Sequence, residues 1–351
     1  MHTPGHTPHH TSYEVLADGE VVVLFSGGCV LVGACGRTDL VSPERTEDLT
    51  RAQYQSANRV LTLPEPVTLG PTHGRGSFCS ASAASMDTYT SVGAERTRNP
   101  AALAANEDDF VETQLAGLLA YPAYYAKMAG FNVAGAPAWE PTQLASLSAE
   151  EVANRQHRGA TIVDGRSRAA FASGHIPESV NLELDDNFGT YLGWLFPFGT
   201  HFIVVTDADA DLMQAVRQGA RIGIETIEGF LDGGIDAWRR SGRELRSYQV
   251  TDVDGLKQAL DAHDLRVLDV RQDLEWADGR VPGSIHIHVP EIRERVRELA
   301  GTSVPVYVIC RTGHRASMAA SVLDGAGVPT VLVDGGFPDW SERNYPVEVS
   351  S

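Results

Sequence analysis

Cysteine is scarce in this chain. Only Cys29, Cys35, Cys79 and Cys310 occur in 351 residues. That is too few for a disulfide framework, and it suits a reducing compartment where thiols stay open to chemistry. Long apolar runs are missing as well. No stretch reaches the roughly 18 residues that a membrane span needs, and the opening MHTPGHTPHH has neither the basic nor the apolar region of a secretory leader. A cytoplasmic location without a membrane partner is therefore expected. Positive charge is in deficit: 28 Lys and Arg stand against 46 Asp and Glu, a net charge of -18. This argues against nucleic acid as a partner, because phosphate contacts draw on clustered cations. What remains is ordinary for globular protein, 42% apolar and 21% charged residues, over a length that accommodates two or three separately cored domains.

The chain repeats itself. Val163–Val180 reads VDGRSRAAFASGHIPESV and Leu268–Ile285 reads LDVRQDLEWADGRVPGSI. Asp164 and Asp269, Arg166 and Arg271, Gly174 and Gly279, and Pro177 and Pro282 all match at a spacing of 105 residues. Further on, FLDGGIDAW ending at Trp238 matches LVDGGFPDW ending at Trp340 at a spacing of 102. Two blocks in the same order at nearly one offset mark a duplicated domain of about 100 residues. Each copy alternates β-rich runs with helical spacing, as in Val304–Ile309 followed by Arg315–Asp324, so the fold expected is α/β with parallel sheets. The divisions expected are a segment over 1–140, a first copy over 144–244 and a second over 250–348. Residues 132–141, with Gly135, Pro137 and Pro141, read as a linker.

Chemistry concentrates after Val304–Ile309, where Cys310-Arg-Thr-Gly-His-Arg315 leads into a helix. A loop from a strand end to a helix start turns backbone N–H groups inward as an anion nest. Arg311 and Arg315 add full positive charge, and Gly313 permits the backbone angles a tight ring requires. Such surroundings favour a thiolate, the nucleophilic form of cysteine. A buried structural cysteine, the bland alternative, needs neither arginines nor a glycine beside it. A phosphatase also places cysteine in a nest, with its arginine six positions on. Here that position is Ala316, and Arg315 comes five after, giving a loop better sized for a sulfur atom than for phosphate.

The Cys310–Arg315 loop, the DVR…GRVPGSI block and the DGGFPDW block together resemble a rhodanese domain, and the repeat resembles a tandem rhodanese pair. The resemblance implies that Cys310 takes sulfane sulfur from thiosulfate or a thiol persulfide and passes it to cyanide or a thiol, with no cofactor. It implies that Arg311, Thr312, Gly313, His314 and Arg315 cradle the substrate. Arg271 is open to two readings, a contact to the sulfur donor or an ion pair with Asp269. The first copy has lost the cysteine: its strand ends Val204-Val205-Thr206-Asp207, with Asp209 close by. That copy is expected to be inactive and to cover its partner or shape the cleft.

The first third carries GHT at Gly5–Thr7, LFSGGCVLVGACGRTDL at Leu24–Leu40, and GPTHGRGSFCS at Gly70–Ser80. These segments resemble late parts of a metallo-β-lactamase fold, of the persulfide dioxygenase and glyoxalase II type, and its fusions with rhodaneses. In that family His6 and His73 match metal ligands. The upstream HxHxDH motif has no counterpart here, and Gly28 stands where the carboxylate is expected. A truncated, metal-free segment is expected, with Met1 an internal or artificial start of a longer fusion. Its uncovered apolar face, such as Val21–Leu24, is expected either to be hidden in a homodimer or to unfold locally. Two functions stay open: a sulfurtransferase acting on small sulfur-containing anions or thiol persulfides through Cys310, and a noncatalytic sulfur-carrier or sensing module.

Overall fold

Strand-forming runs build three sheets among the residues that the computed structural model describes, namely 1–72, 87–135, 139–140, 143–207, 212–262, 265–301 and 303–349. Two compact units divide the chain, Met1–Tyr121 and Pro122–Ser351.

In the first unit, strands β1 (Tyr13–Ala17), β2 (Glu20–Gly27), β3 (Thr68–Pro71) and β4 (Thr90–Ser91) lie side by side in chain order. Alternation along β2 sends Leu24 inward, where it is fully buried with Leu69, Ala57, Val60 and Phe110. The opposite face is bare. Tyr13 pairs with Phe25 across the β1–β2 register, and both are more than half exposed beside Val15. The uncovered face expected at Val21–Leu24 is thus carried chiefly by Tyr13, Val15 and Phe25. The strand period of two hides Leu24 and leaves Val21 and Val23 half-buried.

The break between units falls at Tyr121–Pro122 rather than at residue 140. Tyr124 is buried in the core of the second unit, and Tyr125 and Met128 pack against that core. They belong to or flank a helix over Tyr125–Ala134, which enters the stretch expected as linker. Much of the rest of that stretch lies outside the described residues.

The second unit holds two five-stranded parallel sheets of one topology. The first copy orders its strands β5-β9-β8-β6-β7, with β5 Ala145–Leu147, β6 Thr161–Asp164, β7 Val180–Asn181, β8 Phe202–Val205 and β9 Ile227–Leu231. The second orders them β10-β14-β13-β11-β12, with β10 Gln249–Thr251, β11 Arg266–Asp269, β12 Ile285–His286, β13 Val306–Ile309 and β14 Thr330–Val333. Phe202–Val205 is buried along its whole length, as an unbroken apolar strand covered on both faces should be. Trp238 and Trp340 close the outer cores in the same way, each indole donating to a carbonyl six residues on.

Between the sheets the two copies share one core. Val163, Leu182, Phe188 and Leu192 of the first join Leu268, Ile287, Met318 and Leu323 of the second. The helix His314–Gly325 runs through this layer and buries Ala316 through Ser321, then Leu323 and Asp324. Small residues on nearly every face let it pack closely on both sides. Polar groups fasten it to the first copy. Asn181 N–H donates to Ser321 Oγ at 3.1 Å. Near the far end, Asp324 accepts from His175 Nε2 at 3.1 Å and from Arg246 at 2.7 and 3.0 Å.

Candidate active site

Cys310 follows β13 at the carboxyl end of a strand flanked on both sides by β11 and β14, where crevices form in parallel sheets. It has no exposed surface. Gly313, at φ +85°, turns the chain into the His314–Gly325 helix. The loop carbonyls are tied elsewhere. Cys310 O accepts from Phe337 N–H at 2.8 Å and Gly313 O from Ser317 N–H at 2.9 Å. Thr312 O accepts from Arg168 Nη1 at 2.5 Å. The backbone N–H groups from Arg311 to Ala316 have no acceptor among the described residues. They are left available to an anion, as a nest would require. Gly336 backs it so closely that a Cβ there would lie 1.9 Å from the Arg311 carbonyl oxygen, so the DGGFPDW block is the wall behind the cysteine loop.

The arginines are more occupied than their spacing suggests. Arg315 forks onto Glu275 at 2.6 and 2.9 Å and remains within electrostatic reach of Cys310. Burial opposes ionisation of Glu275, yet Arg315 holds its carboxyl below the usual range. Arg311 and Thr312 are exposed. Arg271 has its partners within its own copy. Of its two readings, the structure fills the ion pair: its guanidinium meets Asp269 at 2.6 Å, donates to the carbonyls of Glu275 and Gly279, and stacks on Phe337. Arg166 repeats the pairing with Asp164 in the copy without a cysteine, so the ion pair itself does not depend on a nucleophile nearby.

His314 lies 3.9 Å from both Glu183 and Asp185 and edge-on to Tyr191. Burial outweighs those carboxylates and holds its imidazole below the ordinary range. His288 sits edge-on to Trp194, and burial pushes it down to about 4. The Nε2 atoms of both histidines, and Oε1 of Gln272, are buried without a hydrogen-bond partner.

Several neighbours of the site escaped the sequence. Arg168, Glu183, Tyr191 and Trp194 all come from the first copy. Glu183 grips Arg168 at 2.7 Å. Tyr191 stacks on Trp194, and burial raises its phenol to about 12, with Arg315 and Cys310 both in electrostatic reach. One signal existed: at the repeat spacing of 105, Arg168 falls opposite Asp273 and Glu183 opposite His288, reversals that a duplicated fold does not require. The first copy keeps the strand end and the glycine behind it. Register places Thr206 where Cys310 stands, and Gly234 lies against the Thr206 carbonyl much as Gly336 lies against Arg311. Asp207 is exposed, and Asp209 lies outside the described residues.

In the first unit the described residues do not assemble the metal-ligand set of the resembled family. A Cβ on Gly28 would lie 2.2 Å from His6 Cδ2, so the imidazole fills the place of the expected carboxylate. His6 Nδ1 donates to the Arg37 carbonyl at 2.7 Å. His10 accepts from the Gly28 amide at 3.0 Å and bonds Thr3 at 2.8 Å. Among the described residues no cluster of three His, Cys, Asp or Glu could hold a metal, while His73 and Cys79 lie outside them. Burial pushes the Cys29 and Cys35 thiols well up. No helix among the described residues is long and apolar enough to cross a membrane.

Fold and loop together define a tandem rhodanese, and the chain belongs to the rhodanese-like domain family, which matches residues 148–241 and 252–343. Among individual proteins, it is 36% identical over 92 residues to the putative sulfurtransferase YtwF of Bacillus subtilis, covering 26% of this chain and 88% of that one. It is 35% identical over 95 residues to the thiosulfate sulfurtransferase GlpE of Pseudomonas fluorescens, covering 27% and 85%. A putative sulfur carrier protein of B. subtilis, YrkF, is 32% identical over 121 residues, covering 34% and 63%. A solved metallo-β-lactamase from Staphylococcus aureus subsp. aureus COL aligns with TM-score 0.56 and 26% identity over 66% of this chain and 65% of that one. The N-terminal region resembles a metallo-β-lactamase, and the rhodanese pair follows it.

Proposed function

We propose that the chain is a sulfurtransferase that carries sulfane sulfur on Cys310, from thiosulfate or a low-molecular-weight thiol persulfide to a thiol or cyanide. The observation that carries the reading is the run of six amides, Arg311 to Ala316, with no acceptor among the described residues, directly after a cysteine at the end of a buried parallel strand. The Cys310 thiolate attacks the outer sulfur of the donor. A new S–S bond forms, the donor's own S–S bond breaks, and sulfite or a thiolate leaves with the electron pair. An acceptor thiolate or cyanide then attacks the outer sulfur of the Cys310 persulfide and restores the thiolate. Oxidant, reductant and cofactor are not required, and each negative charge in transit meets amides already aimed at it. Arg315 and the exposed Arg311 attract anionic donors, and a reducing cytoplasm keeps the thiol free.

Incubation with thiosulfate or glutathione persulfide is expected to add one sulfur to the peptide containing Cys310, and Cys310→Ser to abolish both the adduct and transfer to cyanide. Substantial transfer by that variant defeats the reading. A carrier role finds support in the complete burial of Cys310 and in the likeness to YrkF. It predicts loading without repeated turnover to small acceptors.

A further inference from the structure

We infer that Arg168, supplied by the copy that has no cysteine, is a positioning residue for the Cys310 loop. The inference rests on the sulfur-transfer reading and extends it to the other half of the repeat. Arg168 is used as a fork. Its Nε and Nη2 hold the two oxygens of Glu183 at 3.2 and 2.7 Å, and its own backbone N–H binds the same carboxylate at 2.8 Å. The guanidinium so fixed presents Nη1 to the Thr312 carbonyl at 2.5 Å, with Asp334 at 3.5 Å.

The consequence follows from peptide geometry. A trans peptide is planar, with its C=O and N–H on opposite sides. Drawing the Thr312 oxygen out toward Arg168 turns the Gly313 N–H the other way, to the side of the loop facing away from Arg168. The Phe337 N–H does the same for the Cys310–Arg311 peptide from the opposite flank. Two walls, one from each copy, thus set the direction of two nest amides. Gly313 is needed at this contact also because a Cβ there would lie 2.3 Å from Arg168 Nη1. The position equivalent to Arg168 in the second copy is Asp273, whose side chain is 88% exposed and lies 3.7 Å from His286 of its own copy. The arginine is therefore peculiar to the copy whose own loop has no nucleophile.

The test uses the full chain with Arg168→Ala, Arg168→Lys and Glu183→Gln. It reads donor-to-cyanide kinetics, the rate at which iodoacetamide alkylates Cys310 (followed by mass), and the urea unfolding midpoint. Arg168→Ala is expected to lower kcat by about tenfold or more while KM for thiosulfate moves less than about threefold, because a misdirected amide weakens the transition state more than encounter. Alkylation of Cys310 is expected to slow in parallel. Lys restores the charge but cannot hold Glu183 and the carbonyl together, so Arg168→Lys should recover less than half of the loss. Glu183→Gln, which loosens the fork, should shift kcat in the same direction by less. A rise in KM with kcat intact would make Arg168 a donor contact and overturn the inference, as would kinetics and alkylation within about twofold of wild type. If Arg168→Ala does not fold, the Lys and Gln variants decide by the same criteria. If the wild type neither loads nor transfers sulfur, the sulfurtransferase reading fails, and the alkylation rates still judge Arg168 separately.

Discussion

Two buried arginines of the second copy face different carboxylates, Arg271 on Asp269 and Arg315 on Glu275, and their chemistry divides along the same line. Removing Arg271 strands Asp269, which has no exposed surface. Arg271→Ala is therefore expected to cost about 3–5 kcal/mol, read as a lower urea midpoint; a loss under about 1 kcal/mol would return Arg271 to the donor. The Asp-x-Arg pair was legible in the sequence twice over, but the sequence left open whether Arg271 serves the ion pair or the donor. Glu275 as the partner of Arg315 was not legible, since forty residues separate them and only packing joins them. His288 gives a second prediction. Burial holds its folded value near 4, whereas the unfolded imidazole binds a proton near 6.5. The unfolded state thus takes up more protons as pH falls from about 6.5 to 4, and stability is lost across that window, by up to about 3 kcal/mol. Glu183, Glu275 and Asp324, all held below the usual carboxylate range, lose their contributions lower, as pH drops below their unfolded values near 4. Urea titrations at pH 7, 5.5 and 4.5 should show a shallower decline for His288→Asn than for wild type. Parallel curves would mean that His288 takes up its proton equally in the folded and unfolded states, against the burial argument.

At the scale of the element, the loop Cys310–Arg315 takes its shape from a segment more than twenty residues away. Gly336 admits the Arg311 carbonyl because it has no side chain. Gly336→Ala is expected to push the loop out of register and slow sulfur loading of Cys310 by about tenfold or more, with a smaller effect on the unfolding midpoint. Loading at the wild-type rate in a folded variant would show that the loop keeps its shape without this wall. Both blocks stood out in the sequence, the loop by its residues and the DGG turn by its repetition. Their contact did not, because no periodicity records which turn lies behind which loop. The His314–Gly325 helix was also placed within a residue or two, but its setting was hidden. Ala and Ser on both faces supply little amphipathic contrast, and that lack of contrast is the mark of a helix buried on both sides.

The duplication was readable at the scale of the molecule from one spacing in the sequence. The sharing of a core was not, because the contacts of Asn181, His175 and Arg246 with the helix of the other copy cross from 78 to 149 residues of chain. The first boundary was misplaced by the glycines and prolines after Gly135, which outweighed the aromatic run at Tyr124 and Tyr125. Brief digestion with a non-specific protease is expected to cut first near Tyr121–Pro122 and to leave a resistant fragment from about residue 122. A first cut between residues 127 and 140 would detach the Tyr125–Ala134 helix from that unit and contradict the boundary. The helix that begins at Cys310's loop is fastened to the neighbouring copy near both ends, by Arg168 at Thr312 and by His175 and Arg246 at Asp324. Cys310 itself has no exposed surface. The loop therefore owns no hinge. Whatever loosens the shared core of the two copies is therefore felt at the cysteine loop as well.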